Sequence, residues 1–493
     1  MSFRDKFARA EPFALVAIAV AVLTAARLAV VIATPLNLGP DEAQYWSWSL
    51  TPAFGYFSKP PLIAWIIGAS TAICGDGEAC IRISSPLFHA ASAITLFFAA
   101  RTFFDARVGA WAALTYLLMP GTSFSSLLIT TDVPLLFFWC VGLLALAKLR
   151  QAPNTLWAIV LGVALGLGLL SKYAMLYFVL GAGLALLSNA TGRRIIASRS
   201  GFITLAVTLI VFAPNIIWNF THHFETVGHT AANANVGGEF KLGKLVEFLG
   251  AQIAILGPIA MALLIWGLAS GWMDRALAST DTLLLALAAP PLIIVTIGAL
   301  ISRANANWAA PAFVSLAVLV CAWGVKRGAT RILAANLAIN AIAAAVIMAL
   351  AVSPAVVTAL GQDNAAKRLR GWPEAGRTIA SAANAGTYSA LVSDDREDMA
   401  SLFYYARPLS VPLRMWPRAA AGNEYEAAYA LRPDESSRVL FVTRRADASD
   451  VLKAFAHSER IATLETRLDS KRRRIFFLYV LDRPLSTPLN PQN

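Results

Sequence analysis

Long apolar runs separated by short polar breaks fill the chain up to about residue 352, and most are too long for the strands or helices of a soluble core. A membrane span needs about 20 apolar residues. Runs of that order lie near 13–34, 82–100, 109–129, 132–147, 155–170, 173–189, 201–219, 247–269, 282–301, 308–324 and 331–352. Pro61–Gly75 is equally apolar but only 15 residues long, so hydropathy leaves its crossing open. The basic residues decide it, because Lys and Arg collect in cytoplasmic loops. They precede the first run (Arg4, Lys6, Arg9) and then recur at Arg101 and Arg107, Lys148 and Arg150, Arg193, Arg194 and Arg199, Arg275, and Lys326, Arg327 and Arg331. With all of these cytoplasmic, the crossings between Arg9 and Arg101 must be even, and 13–34 and 82–100 already supply two. Pro61–Gly75 is therefore read as an interfacial or re-entrant helix inside a first outer loop of about 35–81. The pattern predicts eleven spans with the N-terminus inside and the chain from about 353 onward outside.

The tail has a different rhythm. Strand-like runs at Tyr388–Val392, Arg438–Thr443 and Ile475–Leu481 alternate with helix-like ones at Arg396–Arg407 and Ala448–His457. The expected architecture is a mainly α, polytopic helix bundle over 1–352, with interfacial helices in its first outer loop, followed by a small α/β domain over 353–493.

Composition sharpens this. Hydrophobic residues make up 57% of the chain and charged residues 14%, against roughly 25% charged in a soluble domain. The net charge of +12 comes from Lys and Arg that punctuate apolar runs instead of massing on one face, which argues against a nucleic-acid partner. The first run is longer than a signal-peptide core and lacks a small-residue cleavage site, so it reads as a retained span. The four cysteines form no CxxC pair. Cys140 and Cys321 lie within apolar runs as core residues, whereas Cys74 and Cys80 flank Gly-Asp-Gly-Glu-Ala in the outer loop, where an oxidising compartment would allow a local disulfide and the sequence leaves its formation open.

The charged residues left unexplained by topology fall mostly on the outer side, where ionisable groups must pair, face water or do chemistry. The first group is Leu38-Gly-Pro-Asp41-Glu42-Ala-Gln-Tyr45-Trp46. Asp41 and Glu42 suit a helix N-terminus, but two adjacent carboxylates beside Tyr45, Trp46 and Trp48 equally suit an acid/base residue with Glu42 and Tyr45 as substrate ligands. The second is Ser58-Lys59-Pro60-Pro61, which projects an ammonium at headgroup depth, either as a snorkelling lysine or as a clamp on a lipid phosphate. The third is Thr130-Thr131-Asp132-Val133-Pro134, a helix start whose carboxylate caps the helix or binds substrate hydroxyls. Lys172, at another outer turn, is an interfacial anchor or a second phosphate ligand. Arg303-Ala-Asn305-Ala-Asn307-Trp308 offers an arginine for bidentate phosphate binding and Asn307 beside it. His222, His223, Glu225 and His229 are of metal-ligand types and leave a divalent metal open, but their spacing matches no standard zinc pattern.

In this order, the Asp-Glu and Tyr of the first loop, the Lys-Pro-Pro segment leading into an apolar helix, Arg82 after it and Thr-Asp-Val-Pro at the fourth span resemble the bacterial GT-C glycosyltransferases of families 39 and 83. These include the aminoarabinose transferase acting on lipid A and are related to protein O-mannosyltransferases. The resemblance spans about residues 12–350, and the tail looks like the periplasmic domain appended to many such enzymes. It implies a polyprenyl-phosphate-sugar donor, inversion at the anomeric carbon, and an envelope acceptor that is lipid A or other lipopolysaccharide, another glycan or a protein. Asp41 would be the leading catalytic carboxylate, acting as base on the acceptor hydroxyl. Lys59 and Arg82 would hold the donor phosphate, and Asp132 would be the second carboxylate. The aminoarabinose enzyme carries an acidic residue just before this lysine, where Ser58 stands here, a departure that bears on metal binding and on the sugar. The competing readings are a secondary transporter or flippase for an anionic or lipid-linked solute and a non-catalytic scaffold. Transporters place ionisable groups near midplane on broken helices, unlike the outer-edge residues here.

Overall fold

The apolar runs fold as helices: α1 Pro12–Ala33, α2 Pro40–Ser49, α3 Leu62–Cys74, α4 Ser84–Phe103, α5 Ala106–Leu118, α6 Asp132–Gln151, α7 Thr155–Ser171, α8 Leu176–Leu187, α9 Arg199–Thr221, α10 Leu242–Leu256, α11 Pro258–Ala269, α12 Ala278–Ile301, α13 Ala310–Lys326 and α14 Thr330–Val352. The computed structural model describes residues 12–233, 240–271, 278–302, 304–418 and 422–485, so the basic residues Arg4, Lys6, Arg9 and Arg275 lie outside it. Two compact units emerge. One comprises Met1–Ala33, Lys59–Ile66 and Arg82–Ala351; the other comprises Thr34–Ser58, Ile67–Ile81 and Val352–Asn493.

In the first unit α13 is the hub. The span Ala306–Lys326 is 83% buried, whereas Arg199–Thr221 is 17% buried and turns Ile210 and Ile217 outward, as a helix bathed in lipid does. Helices meet closely where side chains are smallest. A Cβ on Gly162 would come within 2.7 Å of Val207, and one on Gly166 within 2.6 Å of Val211, so these two glycines let α7 and α9 approach. Thr204 and Thr208 of α9 then donate to the carbonyls of Ala158 and Gly162 at 3.1 and 3.3 Å.

Seven helices among the described residues are long and apolar enough to cross a membrane, or eight if one bent pair counts as a span. The difference from eleven has identifiable sources. Pro120 ends α5 and starts a short helix, Pro120–Ser125, within the run 109–129. α7 and α8 have 17 and 12 residues. The run 247–269 breaks at Gly257, where the backbone takes φ +98° and α10 and α11 diverge by 105°. That break leaves unpaired carbonyls and amides deep in the bundle. Two buried asparagines of α14, one turn apart, satisfy some of them. Asn336 accepts from the Ala260 amide at 3.1 Å, and Asn340 donates to the Leu256 carbonyl at 3.5 Å. α3, at 13 residues, spans about 20 Å against the roughly 30 Å of a bilayer core, consistent with the interfacial reading.

In the second unit a five-stranded sheet has the order β2-β1-β3-β5-β4, with β1 Ala390–Ser393, β2 Leu413–Met415, β3 Arg438–Thr443, β4 Phe455–Arg467 and β5 Arg473–Pro484. β2, β1 and β3 run parallel, while β5 is antiparallel to β3 and β4. β1 is buried throughout, as a parallel strand covered on both faces must be. α15 Trp372–Ala385 and α16 Arg396–Tyr405 complete this layer. The expected strands and the helix at 396–407 are present. The expected helix at Ala448–His457 shrinks to Ser449–Leu452, because from Phe455 the chain pairs with β5 in a long antiparallel ladder that overrides local helix preference.

The loop segments 34–58 and 67–81 pack against this tail. The Leu38 amide donates to the Tyr405 hydroxyl at 2.6 Å, Trp46 meets Tyr404 edge to face at 5.0 Å, and Trp46 Nε1 donates to Asp76 at 3.0 Å. Cys74 and Cys80 form a disulfide. A cleft of about 840 Å³ is lined by Pro35 and Asn37 on one side and Pro354, Arg370 and Arg467 on the other.

Candidate functional site

Asp132 opens α6 and is buried, and both its oxygens are engaged by chemistry from distant parts of the chain. Lys172, in the extended turn after α7, places its ammonium 2.7 Å from Oδ1. Asn307, in the 3-10 turn leading into α13, donates to Oδ2 at 2.6 Å. Three of the sequence-predicted residues thus meet, Lys172 and Asn307 converging on the carboxylate of Asp132. The capping reading of Asp132 does not apply, since its partners are a lysine and an asparagine instead of its own helix amides.

Below this cluster lies a largely apolar cavity of about 290 Å³, walled by Met119, Phe124, Leu128 and Ile255, with Asp132 and Asn307 among its lining residues. Its polar wall continues into the bundle. Tyr116 and Ser125 also line it, and both bond to the buried His89: Tyr116 Oη lies 2.9 Å from Nδ1 and Ser125 Oγ 3.1 Å from Nε2. Arg27, in the middle of α1, is enclosed nearby and donates to the Leu117 carbonyl and to Ser123 Oγ. Leu117 stands in the last turn of α5, whose carbonyls lack helical partners, so this arginine seals a helix break. The sequence reading passed over Arg27. The signal was available: a lone arginine within an apolar run is costly enough to need a task.

In the second unit, the adjacent carboxylates of α2 have separate tasks. Glu42 is buried at the third helical position and accepts from the Gly39 amide at 2.9 Å, so it caps the helix start. Asp41 points outward, its side chain 62% exposed, and pairs with Arg396 of α16 at 2.8 Å. Burial works against the charge on Arg396, yet the Asp41 carboxylate holds its pKa above the ordinary value. Tyr45, Trp46 and Trp48 are enclosed, with Tyr45 packed on Trp48 and Trp48 stacked on Tyr56 at 4.5 Å. They pack into the core of this unit. Sequence reading missed Arg396, because no local pattern ties residue 396 to residue 41.

Lys59 is half-buried at the turn into Pro60 and Pro61, and Arg82 is enclosed at the end of the short helix Glu78–Arg82. Arg303 lies outside the described residues. His222 stacks on Trp218 at 4.0 Å and bonds its carbonyl at 2.9 Å. Among the described residues, no three His, Cys, Asp or Glu side chains are grouped to hold a metal ion.

A lipid A galacturonosyltransferase of Rhizobium johnstonii is 35% identical over 431 residues, covering 85% of this chain and 89% of its own. The chain belongs to the GT-C membrane glycosyltransferases. A lipopolysaccharide core galacturonosyltransferase of the same organism is 26% identical over 45% of this GT-C chain and 46% of its own. The family model for dolichyl-phosphate-mannose-protein mannosyltransferases matches residues 58–218. The crystal structure of ArnT from Cupriavidus metallidurans bound to undecaprenyl phosphate superposes with a TM-score of 0.64 at 17% identity, covering 96% of this chain and 98% of that one, which establishes a shared GT-C fold.

Proposed function

We propose that this GT-C protein is an inverting glycosyltransferase of the cytoplasmic membrane. In this reading it moves a sugar from a polyprenyl-phosphate donor to lipid A or a related envelope acceptor on the periplasmic face. Residues 1–352 form the catalytic bundle and 353–493 a periplasmic domain. The observation that carries the reading is the Asp132, Lys172 and Asn307 cluster at the head of an apolar cavity. It has the shape of a site for an amphiphile, with polar groups where a headgroup sits and aliphatic walls where a chain lies. The extensive similarity to a lipid A galacturonosyltransferase favours galacturonic acid as the sugar. The Cys74–Cys80 disulfide supports an oxidising compartment for the first loop.

Asp41 takes the proton of the acceptor hydroxyl, the freed oxygen attacks the anomeric carbon, and the C–O bond to phosphate breaks with the electron pair going to the phosphate. A departing phosphate needs neutralising charge more than a proton. Lys59, Arg82 and Arg303 are the cations assigned to it. Lys172 and Asn307 orient Asp132 toward substrate hydroxyls.

The test is transfer by the purified full-length protein in liposomes, from polyprenyl-phosphate galacturonic acid to lipid A, with mass spectrometry of the product. A uronosylated lipid A that disappears with Asp41→Asn is the expected result. Full turnover by that variant, or uptake of solute into the liposomes without any acceptor, would sink the proposal.

A further inference from the structure

Arg396 forks across two positions on one face of α2. Its Nη2 donates to Asp41 Oδ1 at 2.8 Å, and its Nη1 donates to Gln44 Oε1. Asp41 and Gln44 are three residues apart and so are surface neighbours on the helix. A planar guanidinium reaches both at once, which a point charge on a flexible stem does not do. Arg396 is itself anchored. It is the first residue of α16, whose N-terminus is closed by Asp395, accepting from the amides of Glu397 and Asp398 at 2.8 and 3.1 Å. Asp395 in turn is held by Arg444 at 2.9 Å. α16 also holds the residue leading into α2 and the helix itself, through Tyr405 on the Leu38 amide and Tyr404 on the Trp46 ring.

An exposed aspartate on a helix surface samples several rotamers. Here a residue 355 positions away in the chain fixes one of them. We infer that Arg396 is a positioning residue for the transfer reaction: it holds the Asp41 carboxylate in a single orientation toward the acceptor hydroxyl, with Gln44 taking the other arm of the fork. The inference rests on Asp41 being the base proposed above. Both named arms of the guanidinium are engaged by α2, which distinguishes Arg396 from a cation waiting for the donor phosphate.

The experiment measures kcat and KM for the lipid-linked donor with the full-length protein and its Arg396→Ala, Arg396→Lys and Asp41→Asn variants. Arg396→Ala is expected to lower kcat by about ten- to a hundredfold, the scale of a misplaced catalytic group, with KM for the donor unchanged. Guanidinium added in solution should restore part of that loss. Arg396→Lys should remain impaired. Wild-type kcat in Arg396→Ala overturns the inference. So does a rise in KM at unchanged kcat, which marks a substrate contact, and so does a loss that guanidinium does not relieve in a protein with a lowered melting temperature. An active Asp41→Asn overturns the base reading itself, whereas an inactive Asp41→Asn beside a fully active Arg396→Ala overturns only the positioning role.

Discussion

Asp132 shows how one carboxylate can organise a site. With a lysine on one oxygen and an asparagine on the other, its orientation is set before any ligand arrives, which is the condition for a group that must act at a defined angle. Asp132→Asn keeps the volume but removes the charge opposing Lys172, and turnover should fall by at least about a hundredfold in the liposome assay. Asp398 in the tail responds to pH instead. Burial pushes its carboxyl up to about 7, against the pull of Arg444 at 2.9 Å and helped by Asp395. The carboxyl is fully enclosed while the guanidinium is a third exposed, so burial prevails. The folded state therefore holds this proton more tightly than the unfolded chain does. The stability contributed by this carboxyl is greatest below the ordinary carboxylate pKa and is lost as pH rises toward 7. Protection factors of the α16 and β1 amides in the full-length protein, with the intrinsic base-catalysed exchange rate divided out at each pH, should be higher at pH 5 than at pH 8, and Asp398→Asn should flatten that difference.

Among the elements, the informative ones are those that depart from regularity. Gly257 sits at positive φ, and a Cβ there would collide with Asn340. Gly257→Ala combines that clash with backbone strain of order 1–3 kcal/mol and should lower the melting temperature in detergent. Gly166→Val forces α7 from α9 and should cost about 1–3 kcal/mol by overpacking, read by the same melt. These same features explain what was legible beforehand. The apolar helical runs, the short α3 and the tail strands follow from hydropathy and period, which are local properties, whereas the number of full-length spans does not. The break at Gly257 is locally announced by Gly-Pro, yet its tolerance depends on Asn336 and Asn340, some 80 residues later. At the candidate site, Asp132, Lys172 and Asn307 were each visible as polar residues at apolar edges, but their meeting was not. Which of the adjacent Asp41 and Glu42 closes the helix start is not written in the local pattern, and the structure gives that task to Glu42. Arg396 left no trace, because the partner that gives it meaning is encoded in another helix.

At the scale of the whole molecule, segments 34–58 and 67–81 share one unit with the tail, so the tail is part of what shapes α2. Ending the chain after Val352 would strip Leu38, Trp46 and Asp41 of Tyr405, Tyr404 and Arg396. The expected outcome is a truncated protein whose segment 34–58 is cut readily by added protease and which forms no product, while the full chain resists cleavage there. The same unit contains the cleft between Pro35 and Pro354, which follow the ends of α1 and α14 by two residues each. A bulky, membrane-impermeant thiol reagent is thereby offered a single shared address: cysteines substituted at these two positions must be modified together or spared together, from whichever side of a sealed vesicle the reagent is supplied.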